Sequence, residues 1–273
     1  MRRRDRYRSR KVRADLLGIA LCAFVVLSMG FAVVTKGAID KQAKSFNKDT
    51  ACGKHGSSSV TAIIIDNTDN LSEIQKASLR SKLKAVVERV PIHGKLDIYP
   101  IRETTSGTVQ AGFSRCNPGR GSDVNEVTGN PERVEKRWHE TFEGPAWESV
   151  EMYLKPAQVK NSPLMETIQS VAISSFGEDV VTPGANKTLY VVSDMLQNSG
   201  GLNLYKGLPR QQDFFASEYF QSVAADLSGV NVEVLFLNRD SNAQRNDRVI
   251  AEFWNDIFAK QRSSDYRITR IAG

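Results

Sequence analysis

Histidine and cysteine are scarce in this 273-residue chain, with three of each, and the scarcity removes much of the usual catalytic chemistry. His55, His93 and His139 are scattered among polar neighbours. They make neither a zinc-type ligand pair nor a placed general base, and they read as surface residues. No G-x-S-x-G elbow occurs, so a hydrolase of that build lacks its nucleophile. Cys116 to Asp123 (CNPGRGSD) is glycine-rich but lacks the G-x-x-x-x-G-K-[ST] spacing of a phosphate loop, and it reads as an exposed turn. A one-signed charge is also missing from most of the chain. The net charge is +6, yet Arg2, Arg3, Arg4, Arg6, Arg8, Arg10, Lys11 and Arg13, set against Asp5 and Asp15, account for all of it. The remainder is balanced, so the sequence pI of 9.2 describes a tail and gives no reason to expect nucleic-acid binding.

Long hydrophobic runs are nearly absent too, with one exception. Leu16 to Val34 is uncharged over nineteen residues, bounded by Asp15 and Lys36. That is close to the roughly 20 residues a helix needs to cross a bilayer. The basic residues before it place residues 1–15 as a cytoplasmic tail by the positive-inside rule. The rest would then lie across an inner (plasma) membrane, in a periplasmic or extracellular space. The competing expectation is a cleaved signal peptide, with Ser28-Met29-Gly30 as its cleavage site. Cys22 lies inside the run, whereas Cys52 and Cys116 fall beyond it. An oxidising compartment there permits a Cys52–Cys116 disulfide, though two unpaired buried cysteines would give the same count.

Residues 35–58 are polar and without apolar periodicity, a tether holding residues 59–273 off the bilayer. That domain opens on Val60 to Asn70 (VTAIIIDNTDN), an apolar β-branched run ending abruptly in Asp66, Thr68, Asp69 and Asn70. Such a run suits a strand buried on both faces of a parallel sheet. A capping box at Ser72 to Gln75 starts the following helix, and Leu79, Leu83, Val86, Val87 and Val90 recur on one of its faces before Pro91. Lys95–Glu103 reads as a second strand, towards an edge because of Pro100, with Gly107–Ser114 as its hairpin partner. Residues 115–155 read as an insertion. It holds a charged helix around Pro131–Phe142 and an apolar stretch with Trp147, Val150 and Leu154.

Ser162-Pro163 opens a helix bearing Leu164, Ile168, Val171 and Ala172, and Thr188–Val192 (TLYVV) is a second core strand ending in Ser193 and Asp194. A helix marked by Phe215, Phe220, Val223 and Leu227 follows, then the strand Val230–Leu237. Another helix is striped by Val249, Ile250, Phe253, Trp254, Ile257 and Phe258, and Tyr266–Ile271 makes a final short strand. Strands alternating with amphipathic helices predict an α/β fold, a doubly wound and mostly parallel central sheet with helices on both faces.

In such a sheet the loops carrying Asp66-x-Thr68-x-Asn70, Ser162 and Asp194 fall on one edge, where open α/β sheets place ligands. Carboxylates, hydroxyls and an amide without neighbouring His or Cys make a hard-oxygen set suited to Mg²⁺ or Mn²⁺. At this point the chain resembles von Willebrand factor A-type domains, whose metal-ion-dependent adhesion site is written Asp-x-Ser-x-Ser, then Thr, then Asp. Asp66 matches the first Asp and Thr68 stands for the first Ser. Asn70 replaces the second Ser, Ser162 stands for the Thr, and Asp194 matches the final Asp.

The resemblance implies a protein-docking module that holds Mg²⁺ through Asp66, Thr68, Asn70, Ser162 and Asp194, with an acidic side chain of a partner completing the ion's shell. Two other readings stay open. One is a metal-free scaffold binding partners through the 115–155 insertion, where Trp138, Phe142 and Trp147 could line a binding face or simply be helical core. The other is a metal-assisted hydrolase at the same edge. A haloacid-dehalogenase-type phosphohydrolase is disfavoured, because Thr68 stands where its D-x-D motif needs a second carboxylate.

Overall fold

The computed structural model describes residues 30–31, 47, 50–68, 70–102, 108–125, 129–157, 161–238 and 247–271. The chain divides into two compact units, Met1–Asn47 and Lys48–Gly273. The expected tail, the Leu16–Val34 span apart from two residues, and most of the tether lie outside the described residues. Among those described, no helix is long and apolar enough to cross a membrane.

The second unit is built on a six-stranded sheet in the order β3-β2-β1-β4-β5-β6. The strands are β1 (Ser57–Ile65), β2 (Lys95–Pro100), β3 (Phe113–Cys116), β4 (Val181–Ser193), β5 (Val230–Leu237) and β6 (Asp265–Ile271). All neighbours pair in parallel except β3, which runs antiparallel to β2 at one edge. The strand order reverses direction between β1 and β4, the switch point at which doubly wound sheets open a crevice. This arrangement fits the von Willebrand A/Rossmann-like class.

Helices cover both faces because β1 offers apolar side chains to each. Val60, Ala62 and Ile64 pack with Leu189, Val191, Val232 and Val234 of the neighbouring strands. Over them lie α4 (Leu164–Phe176), the short α5 (Gln211–Ala216) and α6 (Glu218–Val223), and α7 (Asp247–Lys260), which contributes Trp254, Ile257 and Phe258. Ile63 and Ile65 face the other way, with Ile98, Val192 and Leu235. They pack beneath α1 (Glu73–Arg89) and the α2–α3 run (Pro131–Trp138 and Gly144–Tyr153, joined by a π turn at His139–Glu143). Residues Ala62 to Ile65 are fully buried, which is why this strand reads as a continuous apolar run and not as an alternation.

Local signals behave as their chemistry dictates. Ser72 and Gln75 form the reciprocal capping box at the start of α1. Trp138 and Phe142 are buried core. Cys52 and Cys116 are disulfide-bonded, and the Cys116 amide donates to the Thr50 carbonyl, so the segment before β1 is stapled against edge strand β3.

Some expectations shift. The hairpin partner of β2 begins at Phe113, several residues later than its sequence suggests, although β2 does lie towards an edge, one strand in. The helix expected from Phe215 to Leu227 breaks at Ser217, whose side chain caps α6. The turn at CNPGRGSD is not exposed as a whole. Asn117 is buried because its side-chain amide donates to the Val90 carbonyl and its carbonyl oxygen accepts the Gly119 amide. The three histidines are exposed, as expected.

Candidate functional site

β1 and β4 lie side by side in register, Ile65 opposite Val192, and the Asp66 amide continues the ladder to the Val192 carbonyl. Asp66 therefore sits on the carboxyl-terminal edge directly beside Ser193, with Asp194 the next residue along. The two carboxylates lie more than a hundred residues apart in sequence but on one rim of the sheet. Asp66 and Asp194 are 1% and 3% exposed. Such burial is costly for a carboxylate unless its oxygens are satisfied.

Asp66 is satisfied by hydroxyls. Its Oδ1 accepts hydrogen bonds from the Thr68 amide (3.2 Å) and Thr68 Oγ1 (2.7 Å). Its Oδ2 accepts from Ser162 Oγ (3.2 Å) and Ser193 Oγ (2.8 Å). Each hydroxyl has one proton, and here each is spent on the carboxylate, so the oxygens are left as acceptors. Ser193 Oγ receives the Met195 amide at 2.8 Å. No donor to Thr68 Oγ1 or Ser162 Oγ is found among the described residues. These two oxygens are thus electron-rich groups beside a buried negative charge. Asp194 Oδ1 takes the Leu196 amide in a local turn (3.1 Å).

Of the five residues expected to form the site, Asp66, Thr68 and Ser162 are joined by hydrogen bonds, and Asp194 shares their rim. Asn70 makes no hydrogen bond to them among the described residues and is exposed. Asp69 lies outside the described residues. Ser193 is the member that the motif comparison passes over, although its position at the end of TLYVVS was a usable signal.

Behind the rim a second network holds the loops. Ser162 and Asn198 exchange backbone hydrogen bonds, amide to carbonyl in both directions. Buried Gln197 accepts the Met165 amide and donates to Glu166, Ser199 and Tyr219, and the Tyr219 hydroxyl donates to Glu166. Burial, more than the nearby Glu166 charge, pushes the Tyr219 phenol up, so it stays a donor. Met195 adopts a left-handed backbone (φ 62°), a costly conformation for a side-chain-bearing residue. Its carbonyl accepts the buried Trp254 indole N–H at 2.7 Å. On the other side the Asn67 carbonyl takes the Ala157 amide, and the Asn67 side chain donates to the Lys155 carbonyl. The end of the 115–155 segment is therefore tied to the Asp66 loop.

The donor chemistry fits a hard divalent cation. Two carboxylates and two acceptor hydroxyls match the way Mg²⁺ is held by one or two carboxylates, with water and other oxygens filling its shell. Among the described residues no group of three or more His, Cys, Asp or Glu is gathered for a metal.

No family model matches the chain, and no curated protein is significantly similar to it. Solved structures similar to it include a conserved hypothetical protein, BatB, from Bacteroides thetaiotaomicron. That match has 14% identity, covers 80% of this chain and 92% of that one, and has a TM-score of 0.38. Another is proximal thread matrix protein 1 from the mussel byssus, described with a zinc-occupied MIDAS motif, at 12% identity, 68% and 39% coverage and a TM-score of 0.35. A third is an aerotolerance-related membrane protein from Bacteroides fragilis NCTC 9343 with multiple mutations to serines, at 15% identity, 78% and 92% coverage and a TM-score of 0.31.

Proposed function

We propose that this protein is a membrane-anchored docking module that captures a partner protein at the carboxyl-terminal rim of its sheet. Leu16–Val34 is the anchor, with residues 1–15 cytoplasmic and the domain on the far side of the membrane. The Cys52–Cys116 bond supports that placement, since disulfides persist in oxidising compartments. The observation that carries the reading is the cluster at Asp66: a buried carboxylate whose hydroxyl neighbours point their protons inward and their lone pairs elsewhere.

Thr68 and Ser162 would hold Mg²⁺ directly, with Asp66 and Asp194 acting directly or through water. Asn70 would join only if its loop closes on the site. The ion supplies an open, positively charged position for a carboxylate of the partner. Ser193 orients Asp66 and does not ligate. Full-length protein carrying Asp66→Ala or Asp194→Ala should fold yet lose the partners that wild type recovers from its source membranes in Mg²⁺. Recovery of the same partners by wild type and both variants, with or without chelator, would refute the reading.

A second reading has one observation in its favour. The residue 155–157 segment is hydrogen-bonded to Asn67, so the insertion reaches the same rim and could bind a partner without metal. Substitution of exposed residues of the insertion, such as Arg133, Lys136 and Glu140, and not of Asp66, would then abolish capture.

A further inference from the structure

Parallel sheets are normally covered on both faces, yet part of one face of this sheet is open. On the side packed by α1 and the α2–α3 run, Val192, Leu235, Leu237 and Ile271 are buried at the carboxyl-terminal ends of β4, β5 and β6. Side chains alternate along a strand, so the same face continues back through Tyr190 and Thr188, through Glu233 and Asn231, and through Arg267 and Asp265. The register sets them in two rows, Thr188–Asn231–Asp265 and Tyr190–Glu233–Arg267. Thr188, Tyr190 and Glu233 are half-buried, and Asn231, Asp265 and Arg267 are exposed. All of these except Tyr190 line a hollow of about 270 Å³. It lies towards the amino-terminal ends of β5 and β6, away from the rim that carries Asp66.

The groups around this hollow are fixed in place and largely unspent. Glu233 Oε1 accepts the Thr269 hydroxyl at 3.0 Å, and Arg267 stands 3.6 Å from Asp265. Among the described residues, no hydrogen bond is found for the side chains of Thr188, Asn231 and Tyr190 or for Glu233 Oε2. Charge is balanced. Glu233 and Asp265 are answered by Arg267 and by Arg89 of α1, and both cations are close enough to act on the Tyr190 phenol. A polar hollow with balanced charge gives little hold to a phosphate, a cation or a lipid tail. It offers donors and acceptors together beside an aromatic ring, on strands that need not rearrange. Those features suit a pyranose, whose hydroxyls each donate and accept and whose C–H face packs on a ring. We propose that this sheet face binds a neutral saccharide, with Asn231, Glu233 and Arg267 taking its hydroxyls and Tyr190 its apolar face. A hollow below the span of drug-sized pockets holds one sugar ring, free or as a unit of a glycan chain. The site is independent of the docking rim and needs no metal.

The test is saturation-transfer difference NMR on the full-length protein in phosphatidylcholine nanodiscs, prepared without sugar-based detergents and kept in EDTA. The probes are the methyl glycosides of glucose, galactose, mannose and N-acetylglucosamine, with chitotetraose, glucuronic acid and glucosamine beside them. Wild type is compared with Asn231→Ala, with Glu233→Gln and with the control Gln221→Ala, an exposed position on α6. Circular dichroism confirms folding of each, and exposed Asn231 keeps the test decisive if Glu233→Gln fails to fold. The expected result is signal from a neutral probe, with affinity falling at least about tenfold in both variants and unchanged in the control. Tighter binding of the tetrasaccharide assigns the site to a glycan chain, and equal binding assigns it to a free sugar. Either outcome supports the proposal. No signal from any neutral probe, binding that ignores Asn231 and Glu233, or a preference for glucuronate or protonated glucosamine would overturn it. Binding that appears only when Mg²⁺ replaces EDTA would place the sugar elsewhere and would overturn it too.

Discussion

Removing the Cys52–Cys116 bond by Cys52→Ser/Cys116→Ser tests how the domain is held to the chain before it. The bond spans 64 positions, enclosing β1, α1, β2 and β3. In the chain-entropy account, freeing a loop of that length returns about 14 cal/mol/K to the unfolded ensemble, a destabilisation of about 4 kcal/mol at 25 °C. The native state loses little else directly, since the Cys116-to-Thr50 backbone hydrogen bond is worth only about 1 kcal/mol. With a urea slope of about 3 kcal/mol/M, the unfolding midpoint should fall by roughly 1.4 M, and the slope should rise because the unfolded chain expands. Wild type treated with dithiothreitol should behave like the double variant. Midpoints that agree to within about 0.2 M would refute the reasoning, showing either that the bond does not form or that it strains the native state as much as it restrains the unfolded one.

Two further perturbations probe a buried phenol and a helix cap. Burial, helped by the charge of Asp97, pushes the Tyr99 phenol up to about 12 from its ordinary 10, and the residue is 2% exposed. The folded state holds this proton more tightly, so its contribution is complete below about pH 10 and is lost as pH rises towards 12, about 3 kcal/mol in all. Tyr99→Phe should flatten that part of an alkaline stability profile measured by urea unfolding, and an unchanged slope between pH 10 and 12 would contradict the assignment. Ser72→Ala removes both the acceptor for the Gln75 amide and half of the capping box, which should cost about 1 kcal/mol. A loss below about 0.3 kcal/mol would show that the cap is idle.

Much of the fold is legible in the residues because the core speaks in periods. Ala62 to Ile65 read as a doubly buried strand, and they are one. Leu79, Leu83, Val86 and Val87 read as the buried stripe of a helix, and they are. What sequence misplaces depends on long-range pairing. The position of β3 is set by its register with β2 and by the disulfide, neither of which leaves a local pattern. The exposed-turn reading of CNPGRGSD fails at Asn117, because its partner is the Val90 carbonyl 27 positions away.

The site follows the same logic. Asp66, Ser162 and Asp194 sit at strand ends or helix starts that periodicity locates, so topology alone brings them to one edge. Asn70 is named by motif spacing, which counts residues but does not say where a loop turns, and its side chain lies exposed. Ser193 and Gln197 lie outside the five-residue motif, and their roles emerge only from what faces them across the rim.

Manganese binding followed by electron paramagnetic resonance tests the proposed centre most directly, since free Mn²⁺ loses its six-line signal when bound and Mg²⁺ competes for the same oxygens. Titrated into the full-length protein, Mn²⁺ should occupy a single Mg²⁺-displaceable site that is lost in Asp66→Ala and retained in Asn70→Ala. Binding that survives Asp66→Ala unchanged, or no binding by wild type, would contradict the proposal that this rim holds a cation.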